Sequence, residues 1–312
     1  MAWSNVGVAI HEPTAAAMLS AVRHADTAGV PTVWLTTGAG PDAMIVFAAA
    51  AACTTAVRMG TAIIPTFPRH PMVVAQQSAD LASLAPHRFT LGLGPSHAPG
   101  IEGRYGLAYE RPLEHLKEFV TIVTNLLSGQ EVDWAGKRFK VKGKINHAAD
   151  VPVIISALRE RSFELAGEIA DGAVTWLCPA PYLRDVAMPA MVRGAATAGR
   201  RTPRMVAHAF LCLTEDPLLL RQAVAQSMGN YPRLTNYQEM FASAGFPEAR
   251  QGEWTSAMSD AVVLHGDEPA ARRKIRDFLE VSGADELILS VLPIGADRTL
   301  SIQRTLDFVG SL

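Results

Sequence analysis

The sequence predicts an α/β protein whose parallel strands close into a (β/α)8 barrel with insertions. Short apolar segments of strand length alternate with helix-length segments along the chain, which is the pattern of repeated strand–helix units. No linker or change of composition divides the 312 residues, of which 49% are hydrophobic, and barrels of this kind reach that length as one domain. We therefore expect a single domain over residues 1–312, with its active site at the carboxyl ends of the strands.

Eight short apolar segments define the predicted barrel. Their apolar composition fits strands that are buried on both faces, as in parallel sheets. In chain order they are Val6–Ile10, Thr32–Thr36, Met59–Ile64, Phe89–Gly94, Val153–Ala157, Ala173–Leu177, Val206–Leu213 and Glu286–Leu292.

Helices between these strands are predicted from start and stop residues. Gly29 is placed to end the first helix, and the turn at 38–42 is placed to cap the second. Pro71 fits the first position of the third helix. The predicted helices cover about residues 13–28, Ala43–Ala52, Pro71 to near Pro86, the amphipathic segment Arg111–Leu127, and Arg298–Leu312.

Three segments do not fit one strand–helix period and are predicted as insertions. The first, near 95–110, is a loop that is long for a compact domain and is therefore a functional candidate. Within 130–147, apolar residues alternate on both sides of Ala135-Gly136, which predicts a hairpin. The third, 217–265, lies between the seventh and eighth strands.

Charge and cysteine content exclude several classes of partner. A formal charge of −2 without a Lys/Arg cluster argues against nucleic acid or a membrane surface. Cys53, Cys178 and Cys212 form no C-x-x-C pair, which indicates a reducing cytoplasm. Residues 1–5 lack the features of a signal peptide, and no segment approaches the ~20 apolar residues of a membrane span. We expect a cytoplasmic protein that acts on a small molecule.

Several common site motifs are absent from the sequence. The run Gly92–His97 (GLGPSH) begins like a dinucleotide fingerprint, but His97 occupies the third glycine position and no helix is expected to start there. There is no G-x-x-x-x-G-K-[ST], H-E-x-x-H or G-x-S-x-G pattern, and the nine histidines show no metal-ligand spacing. We expect neither a Rossmann phosphate loop nor a metal site.

An ordered set of motifs resembles the bacterial luciferase-like monooxygenase superfamily. The set consists of Gly60–Thr66 (GTAIIPT), Arg69–Pro71 (RHP), Ala75–Gln77 (AQQ), Arg88–Gly94 (RFTLGLG), Arg111–His115 (RPLEH) and Ala166–Gly172 (AGEIADG). The branch that uses the deazaflavin coenzyme F420 is resembled more narrowly by Gly94–His97 (GPSH), Arg111-Pro112 and Asp171–Trp176 (DGAVTW). The resemblance implies a luciferase-like barrel with a non-covalent cofactor at its top, and in many members a homodimer.

The resemblance places the back of the flavin or deazaflavin ring at the end of the third strand. In relatives a bulge there contains a non-prolyl cis peptide. The matching bond in this sequence is Thr61–Ala62, with Ile63 beside it, so these three residues are predicted to contact the cofactor. The alternative is an ordinary buried strand in which Thr61 forms local hydrogen bonds.

The resemblance places the cofactor phosphate after the fifth strand. The residues there are Ser156, Ala157, Leu158, Arg159, Glu160 and Arg161. N–H groups at a helix start attract anions, and an arginine adds charge-assisted bonds. Some relatives have glycines in place of Leu158 and Arg159, and the alternative is a solvated arginine pair. Trp176, at the end of the sixth strand, either covers the cofactor or belongs to the core.

The segment after the fourth strand supplies the candidate proton donor. By resemblance, Gly94, Pro95 and Ser96 contact the ring and the ribityl chain, with Gly94 allowing close approach. His97 offers a titratable imidazole and is either the proton donor to the reduced substrate or a structural or ring contact. His70 is interpreted as a helix-start residue rather than a catalyst.

One departure from the family concerns the direction of reaction. Deazaflavin-dependent dehydrogenases of this superfamily carry an Asp-His or similar pair after the second strand, where this sequence has Thr36-Thr37-Gly38. Without that base, reduction of a substrate is favoured over oxidation of an alcohol. The predicted substrate pocket is apolar and partly aromatic, lined by Trp34, Thr36, Tyr105 and Tyr109.

The sequence therefore predicts an F420-dependent oxidoreductase that passes hydride to a small unsaturated, carbonyl or imine compound. A monooxygenase that uses flavin mononucleotide (FMN) on the same barrel is the first alternative. Deazaflavin has carbon where flavin has N5 and reacts poorly with oxygen, so the cofactor decides between these reactions. A flavin-binding protein without catalysis is the other alternative.

Overall fold

The computed structural model describes residues 3–312. Its strands are β1 (Val6–Ile10), β2 (Thr32–Leu35), β3 (Arg58–Thr61), β4 (Ile64–Pro65), β5 (Phe89–Gly94), β6 (Val132–Ala135), β7 (Lys140–Gly143), β8 (Val153–Ser156), β9 (Gly172–Val174), β10 (Arg204–Cys212), β11 (Val263–His265) and β12 (Glu286–Val291). Its α-helices are α1 (Ala15–Ala28), α2 (Ala43–Ala51), α3 (Pro71–Leu84), α4 (Ala98–Tyr105), α5 (Pro112–Leu127), α6 (Glu160–Ile169), α7 (Ala180–Tyr182), α8 (Met188–Thr197), α9 (Pro217–Met228), α10 (Thr235–Ser243), α11 (Ser256–Val262), α12 (Glu268–Ser282) and α13 (Arg298–Gly310).

Eight parallel strands close the barrel. Their order around it is β1, β2, β3, β5, β8, β9, β10 and β12, and β12 pairs with β1. Val6 of β1 lies opposite Leu287 of β12, and Gly172 of β9 lies opposite Arg204 of β10. The predicted (β/α)8 barrel is confirmed. Strands β6 and β7 form the predicted antiparallel hairpin outside the barrel.

Local signals explain where several helices begin and end. Gly29 ends α1 in the left-handed conformation, with φ of 81°. The Asp42 side chain caps α2 by accepting a hydrogen bond from Met44 N at 2.9 Å. His70 starts α3, since Met72 N donates to His70 Nδ1 at 3.2 Å, which confirms its interpretation as a helix-start residue.

The third barrel strand is interrupted within the predicted segment Met59–Ile64, where the family resemblance implies a bulge. Strand β3 ends at Thr61, and the chain resumes as β4 with Ile64 opposite Leu93 of β5. Between them lies a cis peptide at Ala62–Ile63. The predicted position of this bond, Thr61–Ala62, was therefore wrong by one residue.

Residues 95–110 contain a helix that the sequence analysis did not expect. Helix α4 begins at Ala98 directly after His97, which has the extended backbone of an N-cap residue. The expectation that no helix starts after Gly94 was wrong. Two glycines and a proline in the run APGIEGRY weaken its helical signal, whereas Pro99 is compatible with the first turn.

The lower part of the barrel interior is filled by Trp34. Its side chain is buried, and the ring lies so close to Gly60 that any Cβ there would overlap it. The indole Nε1 donates to Glu286 Oε1 at 2.9 Å, at the amino end of β12. A cavity of about 220 Å³ opens at this end and is lined by Trp34, Glu286 and Arg204 among others. Trp34 therefore faces the end of the barrel opposite to the predicted site.

The segment between β10 and α12 adds structure beyond one strand–helix unit. It contains α9, α10, α11, β11 and two 3-10 turns at Tyr231–Arg233 and Pro247–Gln251. Strand β11 attaches this segment to the barrel, with Val263 opposite Phe210 of β10. Among residues 3–312, no helix combines the length and hydropathy that a membrane span requires.

Candidate active site

The carboxyl ends of the barrel strands bring most of the predicted site residues to one end of the barrel. Strand β2 leads to Thr36, β3 to Ala62 and Ile63, β5 to the segment from Pro95 to His97, β8 to Ala157 and β9 to Trp176. This is the end at which barrels of this class carry their active sites.

The end of β3 is fixed by Thr61. Its hydroxyl donates to Gly92 O at 2.9 Å and accepts from Gly92 N at 2.7 Å, so both of its hydrogen-bonding functions are used within the barrel. Thr61 is buried and bonded to the neighbouring strand β5, and the chain leaves β3 directly after it. Ala62 and the partly buried Ile63 pack with the apolar residues that fill the barrel interior.

Gly94 serves close packing between strands. A Cβ at this position would overlap Ser156 Oγ and would lie 2.9 Å from Cγ1 of Ile63. The space beside Gly94 is thus occupied by protein atoms, whereas the sequence analysis assigned it to a ligand. Gly94 thus lies close to both Ile63 and Ser156, two other predicted cofactor residues at the ends of neighbouring strands.

The segment after β5 is held by Tyr109. Ser96 has a left-handed backbone with φ of 62°, and its carbonyl accepts a hydrogen bond from the Tyr109 hydroxyl at 2.9 Å. The Tyr109 ring stacks on Phe67, with centroids 5.0 Å apart. Tyr109 therefore orients the backbone that leads to His97. Tyr105 is 38% exposed on α4, and the structure gives it no contact with the other predicted site residues.

The start of α6 presents free hydrogen-bond donors. The N–H groups of Leu158 and Arg159 both donate to Ser162 Oγ at 3.0 Å, so these two groups are satisfied within the helix cap. The N–H groups of Glu160 and Arg161 occupy the first positions of the helix, where no intrahelical acceptor exists. Ala157, just before this turn, is buried and donates its N–H to Val174 O at 2.9 Å.

Two arginines flank Glu160 at this helix start. The side chains of Arg159 and Arg161 are exposed, and neither forms an ion pair with any residue from 3 to 312. The Glu160 carboxylate, by contrast, is paired with Arg193 of α8. Free N–H groups at a helix N-terminus together with two unpaired guanidinium groups are donors that suit an anion such as a phosphate.

Trp176 lies over a buried histidine. Its ring stacks on that of His208, with centroids 3.6 Å apart and planes at 14°. Leu177 N donates to His208 Nδ1 at 3.3 Å, and His208 Nε2 lies 2.8 Å from Ser290 Oγ. Burial lowers the pKa of His208 well below its ordinary value. The ring is therefore neutral, with its proton on Nε2.

A second histidine stands at the end of β1. His11 Nδ1 lies 3.3 Å from Thr36 Oγ1, and the His11 ring meets the Trp176 ring edge-on, with centroids 6.1 Å apart. Burial, assisted by the charge of Arg298, lowers the pKa of His11 to about 4. An imidazole and a hydroxyl thus face each other where the sequence analysis found only threonines.

Two tyrosines of the 217–265 segment complete this end of the barrel. Trp176 Nε1 donates to the Tyr231 hydroxyl at 2.8 Å. The Tyr231 and Tyr237 rings lie 4.9 Å apart, and Tyr237 lies 5.7 Å from His97. Burial lowers the pKa of His97 and raises that of Tyr231 to about 12. The segment therefore connects the ends of β5 and β9.

Sequence reasoning missed His11, His208 and Tyr231. His11 directly follows Ile10, so inspection of the first polar residue after each strand would have found it. His208 stands out as a polar residue within the apolar strand β10. The contact between Tyr231 and Trp176 spans 55 residues, and no local pattern carries such information.

Comparison with known proteins identifies the family to which this chain belongs. The statistical model of the luciferase-like monooxygenase family matches residues 2–286. The chain belongs to this family, and the resemblance seen in its motifs is confirmed.

Similar proteins include several whose names refer to coenzyme F420. The chain is 25% identical over 302 residues to a 5,10-methylenetetrahydromethanopterin reductase of Methanolobus tindarius, covering 89% of this chain and 91% of the relative. It is 37% identical over 172 residues to an F420-dependent glucose-6-phosphate dehydrogenase of Nakamurella multipartita, covering 53% of this chain and 50% of the relative. A solved F420-dependent secondary alcohol dehydrogenase, in complex with an F420-acetone adduct, has the same fold, with a TM-score of 0.82, 19% identity and coverage of 96% of both chains.

Proposed function

We propose that this protein is a coenzyme F420-dependent oxidoreductase that reduces a small neutral substrate, an unsaturated, carbonyl or imine compound. Membership of the luciferase-like family, the F420-dependent dehydrogenase of Nakamurella multipartita and the solved F420-dependent alcohol dehydrogenase support the choice of cofactor. The observation that carries the proposal is the phosphate-type donor set at the start of α6, at the carboxyl end of the barrel.

The residues fit such a cofactor. The N–H groups of Glu160 and Arg161, with the side chains of Arg159 and Arg161, would hold the phosphate. The cis peptide segment at Ala62–Ile63 would support the ring. When bound, the deazaflavin supplies a two-electron hydride donor or acceptor and reacts poorly with oxygen.

The groups around the substrate position favour reduction. No carboxylate–imidazole pair follows β2, and Thr36 meets His11 instead. With a pKa of about 4, His11 is a weak base and cannot readily remove the proton of an alcohol. Reduction requires only a group that binds the substrate and supplies a proton.

We also propose that the protein acts as a homodimer in a reducing cytoplasm. Ile45 of α2 and Val73 of α3 are 68% and 46% exposed, on two helices that pack against each other. Large exposed apolar side chains on adjacent helices are typical of a protein–protein interface. The three cysteines are free thiols.

Titration with F420 and with FMN tests the cofactor assignment. We expect micromolar or tighter binding of F420, weaker binding of FMN, and no oxygen uptake on reduction. Arg159→Ala and Arg161→Ala should weaken F420 binding by ~1–3 kcal/mol for whichever arginine contacts the phosphate. Arg184→Ala is the control, because Arg184 is exposed but already paired with Asp185.

Two results would contradict this proposal. Preference for FMN, accompanied by oxygen uptake, would support the monooxygenase alternative. Normal F420 binding by both arginine variants and by the double variant would place the phosphate elsewhere.

A further inference from the structure

The Tyr231 hydroxyl links the 217–265 segment to Trp176, a strand-end residue of the site. It accepts the Trp176 indole N–H at 2.8 Å, so the position of its oxygen is set by a ring that is itself stacked on His208. The T-shaped contact with Tyr237, at 4.9 Å, fixes the Tyr231 ring from another side. A phenol held at two points is well oriented for catalysis or binding.

The proton of this hydroxyl has no acceptor among residues 3–312, since the bond from Trp176 occupies the oxygen and not the hydrogen. A hydroxyl that accepts one hydrogen bond becomes a better donor in the next, because hydrogen bonds in a chain polarise one another. The Tyr231 O–H is therefore available to donate a hydrogen bond to a bound molecule.

The neighbouring side chains indicate what that molecule is. Thr36, His11, Trp176 and His208 carry no charge at neutral pH, since both imidazoles have lowered pKa values. Arg298, whose charge acts on His11, donates its Nη2 to the His11 carbonyl at 2.7 Å. A phosphorylated or carboxylated group would find no free counter-charge among these residues, whereas a neutral oxygen acceptor finds the Tyr231 donor.

We propose that Tyr231 binds the carbonyl oxygen of a neutral ketone or enone substrate and supplies the proton to that oxygen. This inference rests on the proposed function for its hydride donor, the two-electron-reduced deazaflavin. In a ketone the carbonyl carbon gains the hydride, and in an enone either that carbon or the β-carbon gains it; in each case the oxygen keeps the electron pair of the broken C=O π bond and takes the Tyr231 proton, which gives an alcohol or an enol. Water then returns a proton to the tyrosinate.

The alternatives to Tyr231 are less suited to this step. Burial lowers the pKa of His97, which makes its acid form scarce at neutral pH. The Tyr109 hydroxyl is used by the Ser96 carbonyl, and Tyr105 lies on the surface of α4. Burial raises the pKa of Tyr231 to about 12, so its proton is present throughout the neutral range, and an alkoxide is a strong enough base to take it.

Tyr231→Phe and the matched control Tyr237→Phe test the proposal. Each variant loses one phenolic oxygen from the same segment, but only Tyr231 accepts the bond from Trp176. The first measurement is the affinity of the protein without cofactor for cyclohex-2-en-1-one, by ligand-observed NMR. We expect Tyr231→Phe to weaken this binding ~5–10-fold, the effect of one hydrogen bond, and Tyr237→Phe to leave it unchanged.

Two further measurements separate a local effect from a failure to fold. The indole N–H resonance of Trp176 should shift in Tyr231→Phe alone, with thermal unfolding close to that of the wild type. Turnover of cyclohex-2-en-1-one with reduced F420 should fall ~10²-fold or more at unchanged F420 affinity.

Failure of this inference is distinguishable from failure of the proposed function. Equal enone affinity in wild type and Tyr231→Phe, or no affinity in either, overturns the role of Tyr231 even where F420 binds tightly. Loss of enone affinity in Tyr231→Phe supports the role even where F420 does not bind, and in that case only the cofactor assignment fails.

Discussion

Replacing Gly94 with alanine tests how the ends of β5 and β8 pack. The added Cβ would overlap Ser156 Oγ, lie 3.1 Å from Ser156 Cβ and lie 2.9 Å from Cγ1 of Ile63. Both neighbours belong to strand ends that the closed barrel holds in place, so neither can move away freely. Overpacking of this kind costs ~1–3 kcal/mol of stability. We expect a loss within that range, seen as a lower midpoint of urea unfolding at unchanged slope.

A second substitution shows whether the overlap is the cause. Ser156→Gly removes both the hydroxyl and the Cβ that the new methyl group meets. In the double variant Gly94→Ala/Ser156→Gly, the two changes should be non-additive, with a coupling free energy of ~1 kcal/mol or more in the stabilising direction. Wild-type stability of Gly94→Ala, together with weaker cofactor binding, would refute this reasoning and would assign the space beside Gly94 to the ligand.

Two other predictions concern the proton donor and the oligomer. Burial lowers the pKa of His97 below its ordinary value of 6.5, so the imidazolium is the minor form at neutral pH. His97→Gln should therefore keep kcat within ~10-fold of wild type at pH 7–8. A ~10²-fold loss of kcat in that range, together with a wild-type rate that falls as pH rises through the lowered pKa of His97, would identify the imidazolium as the acid. For the dimer, Ile45→Glu should lower the sedimentation coefficient to that of a monomer. The control Leu300→Glu, at a residue 61% exposed on α13, should leave the sedimentation coefficient unchanged. A dimer that persists in Ile45→Glu would place the interface elsewhere.

Barrel strands were predictable because their signal is local. The bounds Val6–Ile10 and Phe89–Gly94 agree between sequence and structure, since each is a short apolar run between clear breaks. The direction of a side chain was less predictable. In a closed barrel both faces of a strand are buried. An apolar sequence therefore does not reveal that Trp34 points to the amino end of the barrel, where it bonds to Glu286.

The positions of site residues were predictable where they follow from the order of the strands along the chain. Contacts between side chains that are distant in the sequence were not predictable. The position of the loop after β8 follows from the order of strands, and Arg159 and Arg161 lie there as expected. Which N–H groups remain free depended on Ser162, whose hydroxyl takes two of them. The role of Tyr109 changed for a similar reason, because its hydroxyl reaches a carbonyl 13 residues away.

The two parts of the site have different origins in the chain, and this bears on substrate choice. The strand ends and the start of α6 supply the proposed cofactor contacts. These elements belong to the barrel itself, and barrels of this class carry their active sites at that end. Tyr231 comes instead from the segment between β10 and α12, which lies outside the strand–helix repeat, and the ring of Tyr237 packs against it there. Such segments tolerate change because the barrel does not depend on them for closure. Changes in this segment should therefore alter which carbonyl compound is bound while leaving F420 affinity intact, because the phosphate donors of α6 are not part of it.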